Sequence, residues 1–379
     1  MSPATDRHHH RAIDLERIQV HPLPSRDSLS RIDDILVNPD GAPPAAPSAL
    51  AEANIRAAAM AIRAARARGA SVMLIFGAHL LKNGAHALVS RAIERGWVTH
   101  LATNGAGTIH DWEFAHLGRS TESVRANVTT GTFGTWLETG QAINLAVLTG
   151  GLHRDGWGSA LGRVVDEDGI DLPDAHELER AIVAEPRSPL TAARADMLDM
   201  MLRHRLSGRI RFEHPWRESC VLWQAYRHRV PLTVHPGIGY DIITNHPLFS
   251  GSAIGRAAEV DFCRFGAAVD GLDGGVVLSI GSAIMAPQVF EKSMSCVNNL
   301  RLRDGRPIVR DLNIHVVDLQ DGGNWDWSAG EPPRDNAAYY LRFCKSFARM
   351  GGTMRYSQCD NVVFLHRLCA LLRDGDAVR

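Results

Sequence analysis

The sequence predicts an α/β fold, a Rossmann-like and mainly parallel sheet with helices on both faces. Three observations predict it. Short apolar runs alternate with helical patterns to the end of the chain, which is the order a parallel sheet needs. Three of the runs, Val72 to His79, Val98 to Thr108 and Gly274 to Ala283, end in small residues and glycines. Such strand ends let backbone N–H groups approach a dinucleotide. None of the three is a G-x-G-x-x-G, so the third observation is the weakest on its own.

The elements follow in order. Residues 1–48 hold Pro22, Pro24, Pro39, Pro43, Pro44 and Pro47 with little periodicity. They are expected to form an extension that wraps the body or a neighbour. His8-His9-His10 within it reads as a solvated run. Residues 49–379 are expected to form one domain. An Ala-rich helix spans 49–68, because apolar residues recur at helical spacing. The strand 72–76, a helix over 84–95 and the strand 98–102 then make a right-handed βαβ unit. Loop and helices near the crevice are expected over 120–150, and a turn or substrate loop over 150–158. A helix over 174–205 breaks at Pro186 and Pro189. Helices over 218–228, 252–265, 287–300, 336–350 and 361–372 alternate with strands at 230–234, 275–280, 312–317 and 353–356.

Composition bounds the partners. The chain has 379 residues, 45% of them hydrophobic, and a formal net charge of -1. It is large enough for a sizeable core. No basic excess points to nucleic acid and no polybasic segment to an anionic membrane. No apolar run reaches the ~18 residues of a membrane span. The six cysteines form no C-x-x-C and read as reduced thiols of a cytoplasmic protein.

Candidate chemistry sits just past the apolar runs. His110-Asp111 follows the second glycine segment, and His79 follows the first. Histidine is the one side chain that titrates near neutrality unperturbed. His235 and Asp241 follow the run 230–234; Asp241 either holds a cation or ribose, or caps a turn. Trp325-Asp326-Trp327 suits a pocket enclosing a cation, or packs a loop. Lys345 lies among apolar residues, where a lysine can form an imine. A zinc site from His79, His110 and His235 has no ligand spacing to support it, so no metal is expected.

Together, the ordered segments resemble deoxyhypusine synthase over roughly residues 70–372. The matching stretches are 77–84, Thr103 to Asp111, Gly237 to Asp241, Gly281-Ser282-Ala283, 335–345 and Cys359-Asp360-Asn361. The resemblance implies a homotetramer with NAD bound at dimer interfaces. It implies oxidation of spermidine and transfer of an aminobutyl group, through an imine on a lysine, to the translation factor 5A precursor. By position, Thr103, Asn104, Gly105, Gly281, Ser282 and Asp360 would contact NAD. Asp241 and Asp326, with Trp327 and His79, would hold substrate, and Lys345 would form the imine. Where the family carries paired acids, this chain has Ile109-His110, which points to a less cationic substrate. The reading is an NAD-dependent enzyme acting on a small molecule, with an amine or polyamine among the candidates, and with His110 or His235 as base. Its rivals are a hydrolase or lyase using the His/Asp cluster, and a ligand-binding protein that has lost its chemistry.

Overall fold

The computed structural model describes residues 10–323 and 325–376. His8 and His9 lie outside the described residues. Six strands form the central sheet: β1 (Val72–Phe76), β2 (His100–Thr103), β3 (Leu232–Val234), β4 (Val276–Ile280), β5 (Asn313–Asp318) and β6 (Thr353–Gln358). They lie in the order β3-β2-β1-β4-β5-β6, and every pairing is parallel. The order reverses between β1 and β4. This is the doubly wound arrangement, whose ligand crevice opens outside the carboxyl ends at the reversal.

Alternation along each strand separates two cores. Val72, Leu74 and Phe76 of β1 face one. Met73 and Ile75 face the other. Helix α1 (Ala49–Ala67) and the C-terminal helix α9 (Asn361–Asp376) cover the first face with the middle of the chain. Helices α7 (Met285–Arg303) and α8 (Arg342–Ala348) cover the second. All five residues of β1 and all five of β4 are buried, which explains why they read as unbroken apolar runs.

One stretch differs from its sequence reading. The segment Thr103 to Thr108, read as a glycine-rich strand end, is mostly helical. Helix α3 (Gly105–Leu117) starts directly after β2, with the Asn104 side chain accepting from the Gly107 N–H. Of the two readings of 150–158, a turn or a substrate loop, the structure has the turn, at 153–156 between two helices. Gly150 and Gly151 end helix α4 (Leu137–Leu152), and Gly156 caps helix α5 (Trp157–Glu167). These glycines are needed for close packing. A Cβ on Gly158 would lie 2.0 Å from the Leu232 carbonyl oxygen, and one on Gly156 would lie 1.7 Å from Asp261 Oδ1.

Residues 10–48 run over the body. Ser30–Arg31 pairs antiparallel with Arg119–Ser120, His21 bridges to Trp136, and Val37 N–H donates to the Gly84 carbonyl. No helix among the described residues is long and apolar enough to cross a membrane.

Candidate active site

Four helices or helical turns begin at the carboxyl edge beside the reversal. Side chains close two of them. Beyond β2, Asn104 caps Gly107 and the Asp241 carboxylate faces the N–H groups of Gly105 and Ala106. Beyond β6, Asp360 Oδ1 accepts from Val362 and Val363. The other two flank the reversal, and their N-cap residues offer no side-chain bond. They are α2 (Ala78–Lys82), after Gly77, and the 19-residue α7, after Ile284. Within α7, Ser282 Oγ takes only the Ala286 N–H. The loops of the two halves touch here. A Cβ on Gly77 would lie 2.2 Å from the Gly281 carbonyl oxygen, and Gly281 itself has φ +60°.

The second feature is a buried relay ending at His110. The guanidinium of Arg26 grips both oxygens of Glu113, at 2.8 and 2.7 Å. Both side chains are essentially inaccessible. Thr139 Oγ1 donates to Glu113 at 2.8 Å, and Ser120 Oγ donates to its other oxygen. His110 Nδ1 is 2.8 Å from Ser120 Oγ. Because the serine proton is directed at a carboxylate, its oxygen must accept from Nδ1–H. The imidazole is thereby held with its lone pair on Nε2. Burial would push the Glu113 carboxyl up, but the charge of Arg26 overcomes this and holds it below the usual range. Burial lowers His110 to about 4; Glu113 opposes the shift, while Lys82, Arg26 and His79 reinforce it. The result is a neutral, oriented imidazole at neutral pH.

No family model matches this sequence, and no curated protein matches it. Solved structures similar to it include AgrE, determined as a ternary complex with ornithine and NAD+ (TM-score 0.43, 14% identity, 88% of this chain and 34% of that one). A second is ArgZ, an arginine dihydrolase from the ornithine–ammonia cycle in cyanobacteria (TM-score 0.40, 13% identity, 85% of this chain and 33% of that one). A third is a conserved protein assigned to LOR/SDH from Methanococcus maripaludis S2 (TM-score 0.41, 13% identity, 88% of this chain and 72% of that one). The chain spans about a third of the length of AgrE and ArgZ.

The structure gathers His79 and His110 at the ends of β1 and β2, with Gly281 and Ser282 across the reversal. Other residues named from the sequence are spent on the fold. Thr103 Oγ1 ties β2 to the Phe76 carbonyl at 2.9 Å. The Asn104 and Asp360 side chains are helix caps. Gly105 leaves room for Asp241, since a Cβ there would meet its carboxyl carbon at 2.7 Å. Asp241 also accepts from the Gly237 N–H. Burial raises its carboxyl and the three N–H groups pull it back. His235 is buried edge-on to Phe265, with Nε2 3.1 Å from Thr233 Oγ1. Asp326 is exposed and bonds Ser328, while Trp327 is buried in the second core. Lys345 Nζ sits 3.6 Å over the Tyr339 ring. It belongs to the β5–β6 connection. The helix carrying His110 packs into the first core through Ile109 and Trp112, and that of Lys345 into the second through Phe343 and Cys344, so the sheet lies between them.

Sequence reasoning missed Arg26, Glu113, Ser120 and Lys82. Arg26 is 87 residues from its partner Glu113. The one available signal was Glu113 lying three residues after His110, on the same helical face. Among the described residues, no group of three or more His, Cys, Asp or Glu side chains is arranged to hold a metal ion.

Proposed function

We propose that this protein is an NAD-dependent enzyme acting on a small molecule, with His110 as its acid–base group. The observation that carries the reading is the oriented imidazole of His110 beside the carboxyl-edge crevice of a β3-β2-β1-β4-β5-β6 sheet. The carboxyl edge at the reversal is where a doubly wound sheet would hold a dinucleotide. The N-cap residues of the two helix starts flanking the reversal make no side-chain bond, Ser282 Oγ takes one N–H of α7, and glycine backbone lines the edge from both halves. In a doubly wound sheet that is where a pyrophosphate is expected. Gly77 to His79 and Gly281 to Met285 would hold it. The starts after β2 and β6 would not, because Asp241, Asn104 and Asp360 already satisfy their N–H groups.

Bound NAD would supply a hydride acceptor. The residues of the chain would do the rest. His110 Nε2 would take the proton from the substrate hydroxyl or amine as the hydride leaves. Ser120 and Glu113 would keep Nδ1 protonated, and Arg26 would keep Glu113 ionised. The amine-transfer chemistry implied by the deoxyhypusine synthase resemblance has less support. Lys345 lies across the sheet from His110, and Asp241 is committed to backbone.

Calorimetric titration of the purified protein with NAD tests the reading. Binding below millimolar concentration is expected, together with appearance of reduced-nicotinamide absorbance when small hydroxy and amino compounds are added. His110→Asn should retain NAD and lose that turnover by about 10²–10⁴-fold. Absence of binding at millimolar NAD would overturn it. Light scattering of the same sample tests the homotetramer that the deoxyhypusine synthase resemblance implies.

A further inference from the structure

We propose that the site beside His110 takes a small anionic substrate, whose carboxylate or phosphate is held by Lys82 and His79. The location of the substrate rests on the function proposed above; the sign of its charge rests on the following observations.

Lysine is scarce in this protein. Of 41 Lys and Arg residues only three are lysines: Lys82, Lys292 and Lys345. Lys292 pairs with Glu291, and Lys345 lies over Tyr339. Lys82 has neither a hydrogen bond nor an ion pair among the described residues, although it is half-buried. It ends α2, directly beyond β1, and His79 lies three residues earlier on the same helical face. Both add to the positive field at His110.

Among the described residues, no carboxylate forms an ion pair with Lys82. The one acid acting on His110 is Glu113, and Arg26 already occupies both its oxygens. Asp241 is turned to backbone N–H groups. An ammonium on a flexible stem with no counterion is suited to an oxyanion. A polyamine would meet the Lys82 ammonium, while Glu113 and Asp241 are already engaged. An anion would complete the ion pair and would also offset the Lys82 charge that helps depress His110, making it a stronger base when substrate is present.

The test is calorimetry on the full chain with lactate, glycerol 3-phosphate and spermidine, with and without saturating NAD. At least one anion should bind tenfold or more tightly than spermidine; which one does so separates a carboxylate from a phosphate substrate. Lys82→Met should weaken that binding at least tenfold, Lys82→Arg should restore part of it, and Lys292→Met should leave it unchanged. His79 is exposed, so His79→Ala keeps the fold and should weaken binding severalfold. Tighter binding of spermidine, no binding of either anion, or indifference to both Lys82→Met and His79→Ala would overturn the inference. An anion held through Lys82 in a protein that ignores NAD would sink the dinucleotide reading alone.

Discussion

Glu113 shows how much one buried side chain decides. It organises Arg26, Ser120 and Thr139, and through Ser120 it sets the proton on His110. Glu113→Gln would leave the Arg26 charge buried without its partner. Removing one member of such a pair costs about 3–5 kcal/mol. The expected result is a lower urea midpoint at an unchanged slope, with any turnover through His110 reduced as well. A midpoint equal to that of the native protein would mean that the pair contributes no stability. His110 stood out in the sequence because it follows a glycine segment past a strand and histidine titrates near neutrality unperturbed. Its role was not visible, because the side chains that fix its tautomer come from Arg26, Glu113 and Ser120, three distant points in the chain.

At the scale of elements, the strand ends are shaped by contacts that exclude side chains. The loops after β1 and β4 meet where a Gly77 Cβ would lie 2.2 Å from the Gly281 carbonyl oxygen. Gly77→Ala must push the two loops apart, which costs roughly 1–3 kcal/mol as overpacking. It should lower the melting temperature and weaken NAD binding together. Retention of full NAD affinity would place the nucleotide elsewhere. Carboxylates serve as long-range caps in the same region. Asp111 accepts from Val221 and Leu222, and Asp261 accepts from Trp157 and Val234. Burial pushes them up to about 6 and about 7, against the pull of those N–H groups. The strands were legible as apolar runs and α1 as an Ala-rich period. The start of α3 was not, because Gly105 and Gly107 are poor helix formers by themselves. Their small size is what lets Asp241 and Thr103 pack against them.

Across the whole molecule, buried histidines govern the response to acid. Burial lowers His86, His100 and His315 to about 3, and His110, His214, His235 and His246 to about 4. The unfolded chain binds protons at these sites near the ordinary value of about 6.5. Their contribution to stability is therefore complete above pH 6.5 and is lost as the pH falls from there towards 4 and 3. Asp111, Asp261 and Asp241 act in the opposite sense between pH 3.8 and their raised values, but they are three groups against seven. The denaturant midpoint should accordingly fall between pH 7.5 and pH 5. A midpoint that rises on acidification would contradict this account.

The sequence alone determined the α/β class, the succession of strands and helices, and the crowding of histidine and glycine at strand ends. Those properties are local, carried by hydrophobic periodicity and by small residues next to apolar runs. Only the tertiary structure decided the strand order and which helix starts remain open. It also decided that Asp241 and Asp360 serve the backbone, and that Arg26 reaches from the N-terminal arm to Glu113. Each of these depends on pairs far apart in the chain, where the partner that satisfies a buried charge or N–H group leaves no periodic trace in the sequence.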